Sequence, residues 1–117
     1  MTTETKRPGA HKFVALELAI EIVAGLRDVV GVIRKHDTEV AKQIVRSASS
    51  IAANLAEAGG RQGQDRVHHF RIAAGSAHET VAHLRVAMAW GWIQQGDVDA
   101  VLGLLRREQA ILWRLTH

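Results

Sequence analysis

The sequence predicts an all-α fold, an up-down-up-down four-helix bundle. It has 117 residues, 47% of them apolar, with only one Pro and no Tyr, and its amphipathic segments are separated by short breaks. Abundant helix formers and few β-favouring residues disfavour a sheet, and this length suits one domain. We expect residues 1–10 to be a disordered N-terminal tail and residues 11–117 to form the bundle.

The first helix is predicted to begin near Phe13. Its apolar residues alternate spacings of three and four, which is typical of a helix packed lengthwise on others. They are Leu16, Ala19, Val23, Leu26, Val30 and Ile33. The basic residues 34–36 suit a helix C-terminus, and Asp37 or Thr38 can cap the next helix.

The second helix is predicted from Glu39 to Ala58, and its apolar stripe is unusually wide. One apolar line comprises Val40, Ile44, Ala48, Ile51 and Leu55, and a second comprises Ala41, Val45, Ala52 and Ala56. A lone bundle has no obvious use for the second line, which we therefore predict to be a subunit interface. A polar line of Ser47, Ser50, Asn54 and Glu57 runs beside the stripe. These side chains either face water or hydrogen bond across helices or subunits.

A turn over Gly59–Gly63 is predicted next, with positive φ at Gly59-Gly60. The third helix then begins near Gln64-Asp65 and has the most regular apolar line, spaced alternately by three and four. The line comprises Val67, Phe70, Ala74, Ala77, Val81, Leu84, Met88 and Gly91. The opposite line mixes basic and small residues: His68, Arg71, Gly75, His78, Ala82 and Arg85.

The fourth helix is predicted after a break at Gln94–Gly96, with Asp97 as its cap. Its apolar residues are Val98, Val101, Leu102, Leu105, Leu112 and Leu115. Charged residues interrupt every apolar run, so no membrane span is expected. The first twelve residues do not resemble a secretory signal. We expect a cytoplasmic protein.

The composition argues against most enzyme chemistry. The absence of Cys excludes disulfides, thiolate metal sites and cysteine nucleophiles. The helical serines lack the turn and the His–acid pair of a serine hydrolase, and residues 59–63 lack the ending of a phosphate-binding loop. We predict no catalytic residue and no cofactor.

The segment His78–His83 resembles the zinc-binding helix of a zinc protease, but the spacing of its two histidines does not fit one. Five residues advance a helix by about 140°, so the two imidazoles diverge where a zinc-protease helix would bring them together. Glu79 and His83 are one turn apart and could share a hydrogen bond or form half a metal site. We predict no metal.

The formal charge is +3, and eleven of the 15 basic residues are Arg, which suits phosphate contacts. The segments 46–61, 70–79 and 91–93 resemble a family of small four-helix-bundle proteins. This family includes the proteins encoded in intervening sequences of 23S ribosomal RNA genes and the accessory variability determinants of diversity-generating retroelements.

The resemblance implies a homopentameric ring without enzyme activity, in which assembly multiplies the positive charge. It also implies contact with RNA, or with a partner such as a reverse transcriptase, through a basic surface. The basic residues and the resemblance together make our candidate contacts Lys42, Arg46, Arg61, Arg66, Arg71 and Arg85.

Three hypotheses remain open. The first is a non-enzymatic oligomer that contacts RNA or a nucleic-acid-processing partner. The second is a structural or adaptor protein that binds a protein partner and no nucleic acid. The third is a metal or small-ligand bundle that uses Glu79 and His83.

Overall fold

A computed structural model describes residues 10–117, with side chains from Val14 onward. The predicted tail therefore lies outside the described residues, except for Ala10, which begins the first helix. The described part of the chain is all-α and forms a four-helix bundle, as predicted. Its helices are α1 (Ala10–His36), α2 (Thr38–Gly59), α3 (Gly63–Ala89) and α4 (Gln95–Thr116). Each packs against the helix before and after it, and α1 also packs against α4.

The α1–α2 corner is fixed by Asp37, one of the two predicted caps. Its Oδ1 accepts hydrogen bonds from the backbone N–H of Glu39 at 2.9 Å and of Val40 at 3.0 Å. These bonds satisfy donors that the first turn of α2 would otherwise leave unpaired.

Replacing Asp37 with Ala should therefore lower the free energy of unfolding by about 1 kcal/mol. Urea denaturation followed by circular dichroism measures the change. The variant Asp37→Ser keeps a capping oxygen and should lose much less. Equal losses in the two variants would contradict the assigned cap.

The glycines of the other two corners differ from prediction. Gly60 has a φ of −98°, and the left-handed residues are Gly63 (φ +59°) and Gly91 (φ +78°). The break between α3 and α4 falls at residues 90–94, earlier than the predicted Gln94–Gly96, so Gly96 lies within α4. Asp97 lies inside the first turn of α4 and accepts the backbone N–H of Gln94 at 2.8 Å, which makes it a partner of the cap and not the cap itself.

The core uses helix faces turned slightly from the predicted ones. In α3 the fully buried positions include Ala73, Thr80 and Ala87, whereas Ala74, Val81 and Met88 of the predicted line are only half-buried. On this face α3 packs against α2, where hydroxyl groups of the two helices are hydrogen bonded to each other. In α1 the same kind of rotation leaves Val23 exposed.

The inner face of α4 holds an unexpected residue. Of the predicted apolar positions it buries all but Leu115, which is half-buried, and it also buries Ile111 and the whole side chain of Glu108. Within the described part of the chain, neither carboxylate oxygen of Glu108 has a hydrogen-bond partner. Burial raises its pKa from 4.5 to about 8, only partly opposed by the nearby charge of Arg107.

No described helix is long and apolar enough to cross a bilayer.

Candidate nucleic-acid interface

A seam of hydroxyl groups joins α2 to α3 and sets their register. Ser47 Oγ and Thr80 Oγ1 lie 2.8 Å apart and are both fully buried. One turn further along α2, Ser50 Oγ accepts a hydrogen bond from Ser76 Oγ at 2.8 Å. Because Thr80 also donates to the carbonyl of Ser76 at 2.8 Å, these buried groups are satisfied without a second copy of the chain.

The remaining two members of the polar line lie nearer the surface. His69 Nδ1 donates to Asn54 Oδ1 at 2.9 Å, which continues the seam. Glu57 is exposed and contacts Arg61 one turn on, at 3.0 Å. Three of the four polar residues therefore hydrogen bond to α3 of the same protomer, and the fourth faces solvent.

Two of the candidate arginines are held by carboxylates. Arg61 lies between Asp65 at 2.9 Å and Glu57 at 3.0 Å. The hydrogen bond with Asp65, followed in importance by the one with Glu57, raises the pKa of the Arg61 guanidinium above its ordinary value. Arg46 contacts Glu79 across the α2–α3 seam. The charges of Arg46 and Arg61 are largely neutralised locally, so both are poorer phosphate contacts than the sequence suggested.

Glu79 is also one of the two candidate metal ligands, the other being His83. His83 Nε2 lies 3.3 Å from Glu79 Oε2, the same oxygen that Arg46 contacts. Among the residues described, no three His, Asp or Glu side chains are arranged to hold a metal ion. The arrangement is that of a cross-helix ion pair with an adjacent imidazole.

Arg71 and Arg85 have a different environment. Both are exposed on α3, and within the described residues no carboxylate lies within 4.0 Å of either. The whole basic line of α3 is exposed: His68, Arg71, Gly75, His78, Ala82 and Arg85. Lys42 is also exposed, on α2, and Arg66 is half-buried. Arg71 and Arg85 are the candidate contacts best placed to meet a polyanion.

The predicted interface line of α2 is divided by the fold. Ala41 is fully buried against the protomer's own core, so its assignment to a subunit interface is wrong: a second copy cannot reach it. Ala52 is half-buried against the same core, and Ala56 is exposed. Val45 is 46% exposed and, together with Val23, lines a groove of about 280 Å³ between α1 and α2, whose mostly apolar lining also includes two arginines.

A second groove, between α3 and α4, was not found from the sequence. It has a volume of about 350 Å³ and is lined by Ala74, His78, Gln109, Ala110, Trp113, Thr116 and His117. Trp113 is 61% exposed and stacks on His117, with ring centroids 4.5 Å apart and an interplanar angle of 11°. The spacing of four residues between these rings was the signal available in the sequence.

Comparison with known proteins agrees with this architecture. The model of one protein family matches residues 12–114, almost the whole described chain. The chain belongs to the 23S rRNA-intervening sequence protein family. The resemblance seen in the sequence is thereby confirmed at the level of the family.

A solved structure of this kind has the same fold. It is a protein of unknown function from the S23 ribosomal protein family of Bacteroides thetaiotaomicron, with a TM-score of 0.79 and 22% sequence identity. The similarity covers 87% of this chain and 97% of that chain. At this identity the likeness establishes the fold alone. No curated protein matches the chain.

Proposed function

We propose that this intervening-sequence protein is a non-enzymatic, cytoplasmic oligomer that binds RNA through the basic face of α3. The observation that carries the proposal is a pair of exposed arginines on that face, Arg71 and Arg85, neither of which has a carboxylate within 4.0 Å among the described residues. Side chains of this kind neutralise phosphates and read little sequence, so binding should be weakly specific and strongly dependent on salt.

Reversing both charges tests the proposal. The double variant Arg71→Glu/Arg85→Glu should bind a structured RNA at least about tenfold more weakly, and its plot of log affinity against log salt should be shallower by about two units. Filter-binding titrations over a range of salt concentrations give both quantities.

The control is the double variant Glu57→Gln/Arg61→Gln, which removes the Arg61 guanidinium and one of its partners without changing the net charge. Its RNA affinity should change little. Absence of RNA binding by the wild-type protein at low salt, or unchanged binding by Arg71→Glu/Arg85→Glu, would contradict the proposal.

The oligomer is proposed to form through the α1–α2 groove, with a homopentameric ring as the expected state. The apolar, exposed Val45 and Val23 support an occupant that removes them from water. A heterologous contact of this kind closes into a ring when its rotation allows.

Replacing Val45 with Glu should separate the copies, since it replaces an apolar contact with a charged side chain that must lose its water at the contact. Light scattering should then report the monomer mass. Val86→Glu is the matched control, because Val86 is 44% exposed and lies outside the groove. Wild-type mass in the Val45 variant would overturn this route of assembly.

The same groove supports a second candidate function, an adaptor that binds a protein partner and no nucleic acid. Nuclease treatment of complexes captured with the protein separates the two functions. Only a complex bridged by RNA should fall apart.

A further inference from the structure

The α3–α4 groove combines an exposed aromatic ring with a lining of small, amide, hydroxyl and imidazole side chains. Trp113 stacks on His117 at its rim, and none of the groove's lining side chains is acidic. Glu108, on the same helix, points into the core, and Glu79 contacts Arg46 on the other side of α3. An anionic chain entering this groove would meet no acidic side chain from its lining.

Basic side chains flank the groove along both helices. Arg71 lies one turn before Ala74 of the lining, and Arg85 lies two turns beyond His78. Arg106 lies one turn before Gln109 on α4 and is exposed. Arg71 and Arg85 are separated by about 21 Å along α3 at the standard helical rise. Positive charge thus brackets the aromatic ring at both ends.

The rings are held for stacking. Gln109 Nε2 donates to His78 Nδ1 at 2.9 Å, which fixes one side of the groove. His117 Nδ1 donates to the carbonyl of Trp113 at 3.0 Å, which holds the imidazole against the indole. An ordered indole beside a positively charged track is the arrangement with which proteins bind unpaired nucleotides.

We propose that this groove binds single-stranded RNA, with an unpaired base stacked on Trp113 and the adjoining phosphates on Arg71 and Arg106. The inference rests on the proposed RNA-binding function and adds the class of RNA and the contact that selects it. A base inside a duplex is already stacked on its neighbours, so duplex RNA gains only the phosphate contacts.

The test uses the full-length protein and a fluorescein-labelled oligouridylate of about twelve nucleotides, within the range of sites in single-strand-binding proteins. Fluorescence anisotropy gives its affinity. Trp113→Ala should weaken binding about tenfold, the loss expected for one stacked base. Trp113→Phe keeps an aromatic face and should recover most of the affinity.

The matched control is Trp90→Ala. Trp90 is 69% exposed but stacks on Trp92 at the opposite end of the bundle, so oligouridylate affinity should not change. An RNA duplex of equal length should bind wild-type protein and Trp113→Ala alike. A similar loss for the duplex, or no loss for oligouridylate, would overturn the stacking role.

Two further outcomes separate this inference from the proposed function. Wild-type protein that binds structured RNA through Arg71 and Arg85 but ignores oligouridylate would remove the groove site and leave the proposed function standing. A lower assembly mass for Trp113→Ala in light scattering would identify a second copy of the chain as the occupant of the groove and would also overturn the inference.

Discussion

Replacing Glu108 with Gln is expected to abolish a pH-dependent loss of about 3 kcal/mol in the free energy of unfolding at pH 7. The wild-type carboxyl is buried without a hydrogen-bond partner among the described residues, and its pKa rises from 4.5 to about 8 on folding. At pH 7 the unfolded chain has released this proton and the folded chain has kept it. Folding must therefore take up a proton, which costs free energy in proportion to the difference between pH 7 and 4.5.

The direction of the Glu108 pKa shift determines how the free energy of unfolding changes with pH. Below pH 4.5 Glu108 is protonated in both the folded and the unfolded chain, so it does not affect stability. As the pH rises from 4.5 to about 8, only the unfolded chain loses the proton, and the free energy of unfolding falls. Above about pH 8 both forms are ionised and the free energy falls no further through this group. Wild-type protein should thus lose about 1.4 kcal/mol per pH unit within this window through Glu108, whereas Glu108→Gln should lack this contribution. No other titratable side chain is buried in the described part of the chain, so no second core group should obscure the slope.

Urea denaturation at several pH values between 4.5 and 8 measures the effect. Glu21→Gln, a change at an exposed position of α1, is the control and should follow the wild-type profile within about 0.5 kcal/mol. Parallel profiles for wild-type protein and Glu108→Gln would show that the buried carboxyl does not govern the pH dependence.

The positions of the helices could be predicted from the sequence, because apolar spacing and capping residues act locally. Asp37, for instance, caps α2 through its own neighbours. The exact core faces could not be predicted, since the rotation of a helix depends on the side chains that face it. Thr80 looks like a surface residue until α3 is set against Ser47 of α2, where the two hydroxyls satisfy each other.

The candidate phosphate contacts divide in the same way, into features that nearby residues determine and features that depend on how the helices pack. The exposed basic face of α3 follows from periodicity alone. The neutralisation of Arg61 could also have been foreseen, because Glu57 and Asp65 both lie one helical turn away. The pair between Arg46 and Glu79 depends on the α2–α3 register, and the burial of Glu108 depends on how α4 packs against the other helices. A helical pattern read one segment at a time does not contain either.

Ala41 and Val45 lie one helical turn apart on α2, but substitution by Glu should affect different properties at the two positions. Ala41→Glu is expected to lower the free energy of unfolding by about 3 kcal/mol, because it forces an unpaired carboxylate and extra volume into the closely packed contact of α2 with the core. A loss of this size is a large fraction of the stability of a small domain.

Thermal melting followed by circular dichroism, combined with light scattering, separates the two positions. Ala41→Glu should melt well below wild-type protein, whereas Val45→Glu should keep the helical signal of the folded protomer and lose assembly mass. A loss of mass with unchanged unfolding free energy in the Ala41 variant would return Ala41 to the subunit interface. If both results hold, the boundary between the protomer's core and the proposed contact between copies falls within a single turn of α2.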